Sequence, residues 1–131
     1  PIGCIAPRAG GGLVLGMRDG IATIDDWDAP LRPLGAPFLA DQPDYRCNDA
    51  ATDAHGNWWL GSVDEAKATH GAALYRIAPD GEVTRLFGGM TTCNGAAFSP
   101  DGRTFYHADT PTHAIRAFDH DPATGTLGSP R

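Results

Sequence analysis

Short apolar runs alternate with polar, turn-forming clusters along the whole chain. Leu13-Val14-Leu15, Trp58-Trp59-Leu60, Ala73–Ile77, Val83–Phe87 and Phe105-Tyr106 are separated by Asp53-Ala54-His55-Gly56, Pro79-Asp80-Gly81 and Ser99-Pro100-Asp101-Gly102. Runs this short, bounded by Gly, Pro and Asp, predict β-strands rather than helices. Pro-Asp-Gly supplies a preset φ, an Asx hydrogen bond and a glycine free to take positive φ, so it closes a turn between two strands. In the middle of the chain the expected strands are Asn48–Thr52, Trp58–Ser62, Ala73–Ile77 and Val83–Phe87. Further on they are Gly95–Phe98, Thr104–Ala108 and Ala114–Phe118, with a fourth near Leu127 after the turn-rich Asp119–Gly125.

The pattern repeats. Cys47-Asn48-Asp49-Ala50-Ala51 returns as Cys93-Asn94-Gly95-Ala96-Ala97, and Asp53-Ala54-His55-Gly56 returns as Ser99-Pro100-Asp101-Gly102 at the same offset. A weaker copy lies upstream, where Gly3-Cys4-Ile5-Ala6 precedes Gly11-Gly12-Leu13-Val14-Leu15. A period of about 40–45 residues with four strands in each copy is the blade of a β-propeller. The fold expected is all-β, with three blades over approximately residues 1–40, 41–87 and 88–131. Three blades do not close a ring, so further blades are expected from the same chain or from a second copy. The abrupt entry at Pro1 and the ending Gly128-Ser129-Pro130-Arg131 read as cut ends.

Composition narrows the partners. The 131 residues are 41% hydrophobic and 20% charged, with 17 Gly, 11 Pro and a formal net charge of −6. An acidic chain with singly scattered Lys and Arg is not expected to bind nucleic acid or an anionic membrane surface. No apolar run approaches the roughly 20 residues that span a bilayer, and Leu13-Val14-Leu15 is a strand rather than a signal-peptide core. A cytoplasmic location is the expectation.

Cys4, Cys47 and Cys93 occupy matching places in successive copies, near the start of each innermost strand. Small buried residues suit that convergent position, so packing is expected in preference to a disulfide or a thiolate metal site. No Cys-x-x-Cys pair supports zinc. Trp27, Trp58 and Trp59 are expected to pack between blades. His70, His113 and His120 read as loop residues, and His55 and His107 lie in a turn and on a strand without ligand-spaced neighbours.

Propeller function resides at one mouth of the channel, on residues at the ends of inner strands. Here those are Arg46, Asn48, Asp49 and Asn94. An amide in a strand interior is costly if unpaired. Asn48 and Asn94 therefore read either as ligands for a hard cation or as residues tying down their own backbone.

These same residues carry a resemblance. Arg46-Cys47-Asn48-Asp49 followed by Asp53-x-x-Gly56 and Gly61-Ser62 resembles the Arg-x-Asn-Asp…Asp-x-x-Gly…Gly-Thr pattern of the regucalcin (senescence marker protein)/gluconolactonase/luciferin-regenerating enzyme family. Leu74-Tyr75, Asn94-Gly95, Tyr106-x-x-Asp109-Thr110 and Phe118-Asp119-x-Asp121-x-x-Thr124-Gly125 are similar to further segments of it. The resemblance implies a six-bladed propeller holding one divalent cation, Ca²⁺, Zn²⁺ or Mn²⁺. It implies that Asn94 is a metal ligand, that Arg46 and Asn48 contact substrate, and that Asp49 supports their strand end. Asp64 or Glu65 would also reach the substrate. A Glu ligand and the Asp that is both ligand and general base are expected outside these residues, the Asp beyond Arg131, so residues 1–131 alone are expected to be inactive. Asp109 is expected to bond loop backbone. The activity implied is metal-assisted hydrolysis of a sugar lactone, with no organic cofactor. A non-catalytic binding scaffold and a metal-dependent esterase or phosphotriesterase are the alternatives.

Overall fold

The computed structural model describes residues Pro1–Arg131. Twelve strands form three four-stranded antiparallel sheets, each a simple meander in chain order. The first sheet contains β1 (Cys4–Pro7), β2 (Leu13–Gly16), β3 (Ile21–Ile24) and β4 (Arg32–Leu34). The second contains β5 (Tyr45–Thr52), β6 (Trp58–Asp64), β7 (Ala72–Ile77) and β8 (Val83–Met90). The third contains β9 (Cys93–Phe98), β10 (Thr104–Asp109), β11 (Ala114–Asp121) and β12 (Thr126–Pro130). These are three blades of a β-propeller, as the repeat predicts.

Two apolar layers hold the blades together. Between the first and second lie Ile21, Leu39, Cys47, Trp58, Leu60, Tyr75 and Ile77. Between the second and third lie Trp59, Leu74, Met90, Cys93, Phe105 and Phe118. The neighbouring tryptophans serve opposite layers because successive strand side chains point to opposite faces. Every residue of β6 is buried, since it lies inside the middle blade with a sheet on either side. Burying each large apolar side chain stabilises by about 1.5–3 kcal/mol. The outward faces of the end blades leave Ile2, Ile5 and Ile115 exposed.

The cysteines pack as their repeat position predicts, and all three are free thiols. The first and second blades each offer a glycine to the next blade's cysteine. A Cβ on Gly16 would meet Cys47 Cβ, and one on Gly61 would meet Cys93 Cβ. Burial pushes all three thiols up to about 12, so they stay protonated and unreactive.

Two expectations are corrected. Trp27 does not pack between blades. It sits in the β3–β4 turn and is 82% exposed, because β4 is short and nothing folds over that turn. His120 is not a loop residue but lies on β11, where it is buried with its ring edge-on to Trp59 and its Nδ1 2.6 Å from the Gly102 carbonyl. His107 is buried on β10 between Phe87 and Phe105, and burial lowers its pKa to about 4.

Candidate functional site

β5 and β9 both begin at the end of the blades where β6 and β10 finish. Tyr45 pairs with Asp64, and Cys93 pairs with Asp109. The same end holds the β2–β3 turn, whose Met17 carbonyl accepts the Cys47 N–H. Arg46, Asn48, Asp49, Asn94 and Glu65 therefore gather at one mouth.

The inner strands of the second and third blades, β5 and β9, are bulged there. Cys47 pairs with Ser62 and Ala50 with Leu60, so Asn48 and Asp49 face one residue of β6. In β9, Asn94 pairs with Ala108 and Ala97 with Tyr106, so Gly95 and Ala96 face His107 alone. Gly95 takes φ +62°, which a residue with a Cβ rarely adopts. A bulge breaks the strand's strict alternation and re-aims side chains. It explains how amides sit inside strands without forfeiting a core position.

Arg46 is the most constrained residue of the group. Its Nε donates to Glu65 Oε1 at 2.9 Å, and its Nη1 donates to the Cys47 carbonyl at 2.9 Å and to Asn48 Oδ1 at 3.0 Å. Its Nη2 makes no bond within the protein. Asn48 in turn donates from Nδ2 to the Cys93 carbonyl at 2.9 Å, tying the second blade to the third. Asn48 thus joins Arg46, two residues before it, to the third blade, and its Oδ1 is engaged by the guanidinium. Asp49 Oδ2 accepts the Ala96 N–H at 3.1 Å, so one bulge is fastened to the next.

Asp64 and Glu65 part company. Asp64 is buried, and its Oδ2 accepts from the N–H of Thr69 at 2.7 Å, the Thr69 hydroxyl at 3.0 Å and the N–H of Ala68 at 3.1 Å. Those bonds, led by the Thr69 N–H, hold its carboxyl below the ordinary range. Its role is to fold the loop after β6, and only Oδ1 lacks a partner. Glu65 points instead to the rim, where Arg18 Nη2 donates to its Oε2 at 2.7 Å. Arg18 and then Arg46 keep it ionised below the usual carboxylate range.

Asn94 is exposed. Its Nδ2 donates to Thr110 Oγ1 at 3.2 Å, and its Oδ1 accepts only the neighbouring Gly95 N–H, at a long 3.3 Å. A hard, neutral, accessible oxygen fits one position in the shell of a divalent cation. No three His, Cys, Asp or Glu side chains of the chain converge as a ligand group. Asp109 receives the N–H groups of Thr91 and Thr92 at 3.1 and 2.8 Å and so holds the linker before β9.

Sequence reasoning missed two residues of this rim. Arg18 lies in Met17-Arg18-Asp19-Gly20, which reads as a solvated turn. Lys67 takes φ +54° and donates from Nζ to Thr92 Oγ1 at 2.7 Å. Neither carries a local signal, since their partners are 47 and 25 positions away. A cleft of about 630 Å³ lies at the opposite end between the first two blades, lined by Arg8, Thr23, Thr52, His55, Trp58 and Pro79. Its walls contain no carboxylate.

The family described as SMP-30/Gluconolactonase/LRE-like region matches residues 1–131. Regucalcin of Danio rerio is 33% identical over 132 residues, covering 99% of this chain and 44% of the relative. The 6-deoxy-6-sulfogluconolactonase of Pseudomonas putida is 32% identical over 131 residues, covering 95% of this chain and 43% of the relative. Among solved structures, the calcium-binding protein regucalcin of Agrobacterium tumefaciens superposes with a TM-score of 0.88 at 27% identity, over 97% of this chain and 43% of that one. The chain thus spans under half the length of the relatives it matches.

Proposed function

The chain belongs to the SMP-30/gluconolactonase/LRE-like family, and we propose that the whole protein hydrolyses a sugar lactone at the mouth formed by Arg46, Asn48 and Asn94. The observation that carries the reading is the Arg46 guanidinium. It is fixed on three sides by Glu65, the Cys47 carbonyl and Asn48, yet keeps Nη2 free. A planar donor held in this way is preorganised for the hydroxyl or carbonyl oxygens of a small polar ring. Relatives named as lactonases support the same substrate class.

Arg46 would hold and orient the ring, with Asn48 beside it contributing its remaining amide capacity. Asp49 and Asp109 would keep the bulge and the linker in place. Asn94 would be one ligand of a divalent cation, and the cation when bound would polarise the lactone carbonyl and acidify water. Water oxygen adds to the carbonyl carbon, the acyl–oxygen bond of the ring breaks, and the ring oxygen leaves as a hydroxyl after taking up a proton. The carboxylate that removes the water's proton would come from outside these 131 residues.

The test uses the full-length protein and D-glucono-1,5-lactone. Ring opening above the uncatalysed rate should vanish with EDTA and return with Ca²⁺, Zn²⁺ or Mn²⁺. No acceleration with any of these ions, on this or other aldonolactones, overturns the reading. Purified residues 1–131 should show no turnover.

A further inference from the structure

We propose that Arg18, contributed by the first blade, is a positioning residue for Arg46 of the second, acting through Glu65. Three observations support this. Arg18 Nη2 donates to Glu65 Oε2 at 2.7 Å while Arg46 Nε donates to Oε1 of the same carboxylate at 2.9 Å. Both oxygens of Glu65 are therefore engaged, each by a different guanidinium. Arg18 Nη1 also donates to the Pro43 carbonyl at 3.1 Å, so this one side chain ties together the β2–β3 turn, the linker before β5 and the loop after β6.

The geometry gives Glu65 a role other than direct substrate contact. With one guanidinium on each oxygen, the carboxylate plane is set by two anchors, and it sets the Arg46 plane in turn. A single exposed ion pair contributes little to stability. A network that defines the orientation of one charged donor has a different effect, because misplacing that donor weakens every bond it makes to a bound ring. Arg18 is about as exposed as Glu65, whereas Arg46 is the more sheltered of the three. The outer pair therefore acts as a brace for the inner residue. Asp49 and Asn48 perform the equivalent fastening on the other flank, toward the third blade.

The kinetic consequence rests on the lactonase reading, but the positioning does not. The experiment uses the full-length protein with ¹⁵N-labelled arginine. In the wild type the Arg46 Nε–H, donating to Glu65, should give a slowly exchanging resonance. In Arg18→Met that resonance should exchange at least about 5-fold faster, and KM for the lactone should rise about 5-fold with kcat little changed. Arg18→Lys, which keeps the charge without the forked geometry, should recover only part of KM. In a Glu65→Gln background, Arg18→Met should add nothing to either readout, because the connection is already cut. An Arg46 Nε–H exchange rate unchanged by Arg18→Met overturns the proposal. So does a KM effect that persists undiminished in the Glu65→Gln background. If the wild type opens no lactone, the functional reading fails while the exchange measurement still decides whether Arg18 positions Arg46.

Discussion

At the end of the blades away from Arg46, Asp53, Asp101 and Asp121 each bond within their own turn. Asp53 accepts the N–H groups of His55 and Asn57, the Asn57 amide and the Trp59 indole N–H. Asp101 accepts from Ser99 and Arg103, and Asp121 from Ala123 and Thr124. At the Arg46 end polar side chains also bond between blades, from Glu65 to Arg18, Asp49 to Ala96 and Asn48 to Cys93. The first kind of bond forms as soon as a hairpin closes. The second exists only after blades have docked. Turn closure and blade docking are thus separable, and the candidate site depends on the second.

Trp59→Ala should have the largest effect. Trp59 is fully buried between the second and third blades, and its loss should cost about 3–5 kcal/mol, read as a lowered urea midpoint. The cross-blade mouth should fail with it, so activity should be lost before the far-end turns melt. If activity persists at an unchanged midpoint, docking is not what assembles the site.

Protonation offers a graded version of that experiment. His107 faces the β9 bulge, and its folded pKa of about 4 lies below the ordinary 6.5. The unfolded chain therefore binds more protons than the folded one between those values. Stability should be intact above pH 6.5 and fall as pH drops through 4, by on the order of 3 kcal/mol. His107→Leu should flatten the profile of denaturant midpoint against pH over that window. An equally steep profile in the variant would assign the effect elsewhere.

Two substitutions sharpen the contrast between the ends. Arg46→Ala should reduce kcat/KM of the full-length protein about 100-fold, equivalent to about 2.7 kcal/mol, and move Tm by only a few degrees. Asp53→Ala should do the reverse. It strands the buried Trp59 indole N–H and should cost about 1–3 kcal/mol of stability with kcat/KM unchanged. The two readings of one protein, a melting curve and a rate, would then separate turn carboxylates from site residues.

Much of this was readable in the chain before any coordinates. The 46-residue return of Cys-Asn, the Asp-x-x-Gly turns and the alternation around Trp58-Trp59 define strands, hairpins and blade number, because each depends on neighbours within a few positions. The exposure of Trp27 was not readable, since its surroundings depend on whether anything covers the β3–β4 turn. The burial of His120 was hidden because a long β11 replaces the expected loop. Asp64 and Glu65 are adjacent in sequence and both acidic, so nothing local assigns one to a loop and the other to the rim.

The sequence by itself determined the repeat, the turns and the positions of Arg46, Asn48 and Asn94 at the starts of inner strands. Those features follow from periodicity two, Gly and Asp turn chemistry and the spacing of copies. Only the tertiary structure decided which donors meet which acceptors at the mouth. It placed Arg18 on Glu65 and Asp49 on the Ala96 N–H, because bonds between residues 47 positions apart are set by how blades pack.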